Sequence, residues 1–246
     1  MAMLVSADTL RGRRRENQDH VLAGNLLLSG GLSLHAAAPP EEPVLLAVSD
    51  GIGGGVFPGE ASRTALEAFQ AAFWCAEGTS SPLFPRLLQA AQAANQSVWQ
   101  LCGSNGGCTL ACAAIMPDGS FATLGLGDSS IWLLTAGGLR RLFTPQNEAE
   151  LKKEQGHRPV HGDKCALLAF CGMNPNPARL PFRITSCGRL HPGEGLLLHS
   201  DGLTLTPSAL RRGMQTKTSA KVLCRKALLR GSRDNISAVY ALMDKT

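Results

Sequence analysis

Short apolar runs broken by glycine, proline and acidic turns dominate the chain, and only a few stretches carry helical spacing. Residues 44–48 form an apolar run short enough for a buried strand, and it stops at Asp50-Gly51. A glycine-dense turn follows, with Gly53, Gly54, Gly55 and Gly59. Beyond it Ala65, Leu66, Phe69, Ala72 and Phe73 recur at helical spacing and predict a helix over 62–76. A second helix is expected over 84–101, after a GTSSP turn, with Pro85 in its first turn where proline is tolerated.

Strand patterns occupy 4–7 and 20–28, expected to pair as a hairpin around an arginine-rich loop, and a loop is expected over 36–43. Residues 108–116 and 121–126 flank Pro117-Asp118-Gly119, a hairpin turn, and 131–134 with 139–143 predict another hairpin. Residues 144–183 are punctuated by prolines and read as a short helix over 148–154 followed by a flap-like excursion. A strand at 196–199, a helix at 220–229 and a closing strand at 236–243 complete the pattern.

Four aspartates, Asp50, Asp128, Asp201 and Asp234, each stand beside a turn at the end of one of these short apolar runs. One such aspartate is ordinary turn chemistry. Four in the same placement predict carboxylates converging at one edge of a β-rich domain, where their mutual repulsion calls for bound cations. Oxygen-only ligands suit Mg²⁺ or Mn²⁺, and the glycines after Asp50 let backbone carbonyls join them. Two such ions activate water and stabilise an in-line displacement. The loop 10–19 adds arginines whose forked donors match a phosphate, next to Asp19. The combination points to hydrolysis of a phosphomonoester.

The same residues fall into blocks. Arg14-Arg15-Glu16-Asn17-Gln18-Asp19 resembles an R-x-x-N-[EQ]-D block, and Asp50-Gly51-Ile52-Gly53-Gly54 with Gly59-Glu60-Ala61-Ser62 resembles D-G-M-G-G followed by G-E-x-A-S. Gly107-Cys108-Thr109-Leu110, Gly127-Asp128-Ser129, Ser200-Asp201-Gly202-Leu203 and Asp234-Asn235-Ile236-Ser237 resemble G-T-T-L, G-D-S-R, S-D-G-L and D-N-I-T. In this order, over about residues 5–242, they are similar to the metal-dependent protein phosphatase family (PPM, the type 2C serine/threonine phosphatases), in its bacterial form.

The resemblance implies an α+β fold, a four-layer α/β/β/α sandwich of two antiparallel sheets flanked by helices, with residues 1–246 as one catalytic domain. It also implies roles. Asp50 would bridge two metal ions and the Gly51 carbonyl would ligate one of them, while Asp201 and Asp234 complete the other. Asp19 would hold metal-bound waters, Asp128 with Asp201 would form a weaker third metal site, and Arg14 would bind the substrate phosphate. The nucleophile would be a metal-bridging hydroxide, without a covalent phosphoenzyme. Substrates would be phosphoserine and phosphothreonine proteins in signalling, with a cognate kinase as partner.

The chain departs from the pattern at Ile52, where eukaryotic members carry histidine, and at Gln18, where those members carry glutamate. Gly55 stands for a frequent histidine, Gly59-Glu60 arrives one residue late, and Ser130 replaces an arginine. No direct metal ligand is lost.

Composition narrows the alternatives. Charged residues make up 17% and aromatics 5%, which argues against a nucleic-acid binder despite a net charge of +5. The excess positive charge favours anionic partners such as phosphoproteins. The longest apolar runs fall short of the ~18 residues of a membrane span, and no signal-peptide pattern is present, so a soluble, cytoplasmic monomer is expected. The eight cysteines include no C-x-x-C pair, and Cys108 and Cys112 are expected as small core residues. Two rivals remain: a phosphatase dedicated to one regulatory phosphoprotein, as in sigma-factor circuits, and a silent pseudophosphatase that only binds phosphoproteins.

Overall fold

The computed structural model describes every residue except 1, 32, 39–40, 76–81, 161, 165, 215–218 and 245–246. In chain order the strands are β1 (Met3–Leu10), β2 (Asp19–Ala23), β3 (Leu26–Leu28), β4 (Ser33–Ala37), β5 (Val44–Asp50), β6 (Leu110–Ile115), β7 (Ser120–Leu126), β8 (Ser130–Thr135), β9 (Gly138–Arg141), β10 (Arg183–Arg189), β11 (Gly195–His199) and β12 (Ile236–Met243). The helices are α1 (Pro58–Cys75), α2 (Leu83–Cys102), α3 (Glu148–Glu154), α4 (Pro207–Gly213) and α5 (Ser219–Leu229).

The strands make two six-stranded sheets, ordered β4-β1-β12-β11-β8-β9 and β10-β7-β6-β5-β2-β3. Every pairing is antiparallel. The period-2 alternation of side chains decides the layers. Val5 and Ala7 of β1 pack between the sheets with Val21, Leu46, Val48, Ile131, Leu196, Leu198 and Val239. On the other face of the second sheet, Leu45, Ala47, Cys112 and Leu124 meet Phe69, Phe73, Leu87 and Val98 of α1 and α2. On the outer face of the first sheet, Leu197, Ala238 and Tyr240 meet Leu210, Leu223 and Cys224 of α4 and α5. The result is the four-layer α/β/β/α sandwich. Each fully buried leucine or phenylalanine contributes ~1.5–3 kcal/mol, and the central strands β2, β5, β6, β11 and β12 are buried on both faces, which is why they read as continuous apolar runs.

Several elements differ from the sequence reading. Residues 4–7 and 20–28 do not form a hairpin. β1 pairs with β12 and β4, and β2 with β5 and β3, in opposite sheets. The eight-residue register between β1 and β12 outcompetes local pairing, and the loop between β1 and β2 crosses from one sheet to the other. Residues 20–28 break at the Gly24-Asn25 turn, and the expected loop at 36–43 begins inside β4. α1 starts at Pro58, before residue 62, because Ala61 N–H closes a first turn on the Phe57 carbonyl. β10 is a polar edge strand without an apolar run to mark it, and α4 is short, capped by the Thr206 hydroxyl with Pro207 in its first turn. The helix at Glu148–Glu154 and the strand at Ile236–Met243 form as expected, as does burial of Cys108 and Cys112. Most of the GTSSP turn lies outside the described residues.

Candidate active site

The ends of the strands bring the carboxylates together. β5 ends on Asp50, β7 leads through Gly127 to Asp128, β11 leads through Ser200 to Asp201, and Asp234 comes just before β12. All four line one cavity of about 650 Å³, together with Arg14, Gln18, Gly51, Ile52, Thr109, Leu167 and Asn235. Asp19 opens β2 directly opposite Asp50 in register and is fully buried behind the cavity.

Hydrogen bonds fix each position. Asp50 N–H donates to Thr109 Oγ1 at 3.0 Å, and Thr109 N–H returns to the Asp50 carbonyl at 2.8 Å. Thr109 Oγ1 also meets Ser129 Oγ at 2.7 Å, tying the Asp50 strand end to the segment carrying Asp128. Asp19 Oδ2 accepts from Ser200 Oγ at 2.8 Å, which couples it to the turn before Asp201. Two glycines allow the close approach. A Cβ on Gly51 would lie 2.1 Å from the Pro58 carbonyl oxygen, and one on Gly202 would lie 1.9 Å from that of Asn235. Neither position accepts any other residue without moving backbone.

The electrostatics are one-sided. Burial, reinforced by the charges of Asp19, Asp201 and Asp128, holds the Asp50 carboxyl well above the usual carboxylate range. Burial pushes Asp19 up to about 6 and, together with the Asp201 charge, Asp128 up to about 7. Asp201 opens onto the cavity, yet the surrounding protein and the charge of Asp234 raise it too. Against these five carboxylates, the only ion pair among the described residues comes from Arg14, whose Nε and Nη2 donate to the two Asp234 oxygens at 2.8 and 2.7 Å. Asp19 Oδ1 is buried without a hydrogen-bond partner. The Asp19 and Asp50 carboxyls lie within hydrogen-bonding reach of each other, so a shared proton or a cation would satisfy this oxygen.

This donor set fits divalent cations. It is all oxygen, it is over-charged, and it holds a buried oxygen awaiting a partner. Among the described residues no three acidic, histidine or cysteine side chains are already drawn around a single point, and Asp234 is turned to Arg14. Cations would therefore gather the carboxylates by exchanging shared protons and the arginine.

The structure brings every predicted site residue to this cavity or to its wall. Sequence reasoning assigned no role to Asn17 and Asn235, although both stand in the quoted blocks. Asn17 Nδ2 donates to Thr9 Oγ1 at 2.8 Å, and its Oδ1 accepts from Asp19 N–H at 3.3 Å. Asn235 Oδ1 accepts from Gln18 N–H at 2.9 Å, while its Nδ2 donates to the carbonyls of Arg11 and Glu16, both at 2.8 Å. Behind them His20 Nδ1 donates to Ser62 Oγ at 2.8 Å, and Ser62 donates on to the Gln18 carbonyl at 2.6 Å, locking β2 to α1. The signal for these residues was an amide or hydroxyl beside a functional carboxylate.

Strand-end carboxylates and one forked arginine at the end of a two-sheet sandwich fit a metal-dependent phosphoester hydrolase. The family model of protein phosphatase 2C matches residues 33–236, and the chain belongs to that family of metal-dependent serine/threonine phosphatases. Solved structures agree in fold. The PPM Ser-Thr phosphatase MsPP from Mycobacterium smegmatis, solved with cacodylate, is 24% identical with a TM-score of 0.73, covering 97% of both chains. The Mycobacterium tuberculosis phosphatase PstP/Ppp is 22% identical with a TM-score of 0.77, covering 99% of this chain and all (100%) of the other. A PstP catalytic domain in complex with two manganese ions is 21% identical, with a TM-score of 0.76 over 99% and 100% of the two chains. No curated protein matches the sequence.

Proposed function

We propose that this carboxylate cavity is the active site of a bacterial-type phosphatase that removes phosphate from phosphoserine and phosphothreonine in proteins. The observation that carries the assignment is the convergence of Asp50, Asp128, Asp201 and Asp234 on one cavity, backed by Asp19 and faced by Arg14. Asp50, the Gly51 carbonyl, Asp201 and Asp234 would hold a pair of Mg²⁺ or Mn²⁺ ions, with Asp19 supporting from behind and Asp128 with Asp201 holding a weaker third. Such ions supply water activation and charge neutralisation to phosphoryl transfer. The presence of two manganese ions in the complex of the PstP catalytic domain supports this reading.

Arg14 binds the phosphate. Its guanidinium is exposed at the cavity mouth, and its forked donors already satisfy a carboxylate in the manner they would satisfy two phosphate oxygens. Thr109 and Ser129 keep Asp50 and Asp128 from moving apart. Ile52 brings no proton donor at the position where eukaryotic members carry histidine. All five carboxylates are in place, which favours turnover over silent binding.

The chain acts as a single catalytic domain over residues 1–246, as a monomer in the bacterial cytoplasm, reversing a cognate serine/threonine kinase in signalling. Among the described residues no helix is long and apolar enough to cross a membrane. The test is phosphate release from a phosphoserine peptide with Mn²⁺ present. Asp234→Asn should lower kcat by orders of magnitude, since charge stabilisation depends on the ions it holds. Absence of release by the wild type would refute the assignment.

A further inference from the structure

We propose that one side of the cavity mouth is a basic rim that selects substrates carrying further negative charge, acidic residues or a second phosphate, close to the phosphoserine. The inference rests on the phosphatase reading and adds a substrate class to it.

Two segments far apart in sequence build the rim. Arg11, Arg13, Arg14 and Arg15 come from the loop after β1, and Arg230 and Arg233 come from the turn between α5 and β12. Asn235 clamps the segments together, because its side chain donates to the carbonyls of Arg11 and Glu16 from the residue after Asp234. Arg11 Nη1 reaches the Arg15 carbonyl at 3.2 Å, which folds the first segment on itself. All six guanidinium-bearing residues are exposed, and among the described residues only Arg14 is in an ion pair. Six like charges gathered from two segments, with Glu16 the one acid in residues 11–16, repel one another.

A cleft lies along this rim. It has a volume of about 300 Å³ and is lined by Thr204, Arg230, Ser232 and Arg233. Its remaining walls include Asp201 and Asp234, which are also walls of the catalytic cavity, so the two spaces adjoin. Asp234 already has its charge met by Arg14, and Asp201 belongs to the metal-binding set. That leaves Arg230 and Arg233 as the uncompensated charges facing the cleft. On the rim itself Glu16 is the one acid, set among Arg14 and Arg15, and the opposite side of the mouth is neutral at Ile52, Gly53, Gly54, Thr109 and Leu167. A chain laid across the mouth therefore meets positive potential on one side only. A phosphate ester enters the metal cavity while neighbouring anions of the same polypeptide fall against the rim.

The test compares phosphopeptides sharing one phosphoserine, with neutral flanks, with acidic flanks and with a second phosphoserine, on the manganese-loaded enzyme. At low salt kcat/KM should be on the order of tenfold higher for the acidic and doubly phosphorylated peptides, as expected for attraction of exposed charges that salt screens. The double change Arg230→Gln with Arg233→Gln should remove most of that preference. It should leave turnover of the neutral peptide and of a small aryl phosphate within about twofold of wild type. Equal use of all peptides by the wild type, or equal losses on neutral and acidic peptides in the variant, would overturn the rim. So would inhibition by a single-stranded oligonucleotide as potent as that by the acidic peptide, which would mark a nucleic-acid surface instead. If no phosphate ester is hydrolysed, the phosphatase reading fails separately, and fluorescence anisotropy with an unphosphorylated acidic peptide still decides. Binding that depends on Arg230 and Arg233 supports the rim; absence of binding overturns it.

Discussion

Arg14 and Asp234, 220 positions apart in sequence, meet edge to edge, with both carboxylate oxygens held by one guanidinium. The pair is substantially exposed, so it contributes only ~0–1 kcal/mol and exchanges readily. It joins the residue that would grip phosphate to one that would hold a cation. Filling either function frees the partner for the other.

Arg14→Ala should therefore weaken turnover of a small aryl phosphate, chiefly through KM. A loss of about 10–100-fold in kcat/KM corresponds to the ~1.5–3 kcal/mol of hydrogen bonds to a charged group. Arg13→Ala and Arg15→Ala should leave this small substrate nearly unaffected, since neither pairs with a site carboxylate among the described residues. Equal effects of all three, measured by steady-state kinetics, would mean a diffuse basic patch.

Metal affinity should rise with pH. Asp19 sits at about 6 and Asp128 at about 7 because burial disfavours their charged forms, and Asp50 lies well above its ordinary value for the same reason. Below these values the free site carries protons that a loaded site cannot keep. Binding thus expels protons, and apparent affinity should climb as pH rises through about 6 and about 7. Calorimetry in buffers of different ionisation enthalpy reads the released protons; a buffer-independent heat at pH 6 would contradict the shared-proton picture.

Gly51→Ala and Gly202→Ala should both be poorly tolerated. Each methyl would strike a backbone carbonyl near 2 Å, at 2.1 and 1.9 Å. Relief requires moving the start of α1 or the Asp234 turn, and overpacking of this kind costs ~1–3 kcal/mol or more. Thermal unfolding should show a lowered Tm together with lost activity. Gly24→Ala, with nothing within 4 Å of its Cβ, is a control for steric clash, though its φ of +62° adds backbone strain.

Asn235→Ala should loosen the loop carrying Arg14. It removes three hydrogen bonds to the backbone of residues 11–18 and leaves those groups without their partner. The expected loss is on the order of 2–4 kcal/mol at ~1 kcal/mol or more per bond. Limited proteolysis should cut the arginine loop faster in the variant, and unchanged stability would show that the loop holds itself.

The parts legible in the sequence are those whose cause is local. Asp50, Asp128, Asp201 and Asp234 announce themselves because an apolar run and the turn ending it are neighbours in the chain. The helices at α1 and α2 show in the spacing of Phe69 and Phe73 or Leu87 and Val98. What the sequence hides depends on partners far away. β1 chooses β12 over β2 across more than two hundred residues, and β10 exists only because β7 offers an edge. The hold of Arg14 on Asp234 and of Asn235 on the arginine loop likewise appears only when the ends of the chain meet.

The most direct measurement is phosphate release from a phosphoserine peptide by metal-stripped protein, followed by titration with Mn²⁺. Turnover should be absent in excess chelator and return on adding Mn²⁺, with no recovery in Asp50→Ala, whose carboxyl is within reach of the charges of Asp19, Asp201 and Asp128. Full activity in the presence of chelator, or recovery of Asp50→Ala to the wild-type rate, would contradict metal-dependent hydrolysis at this site.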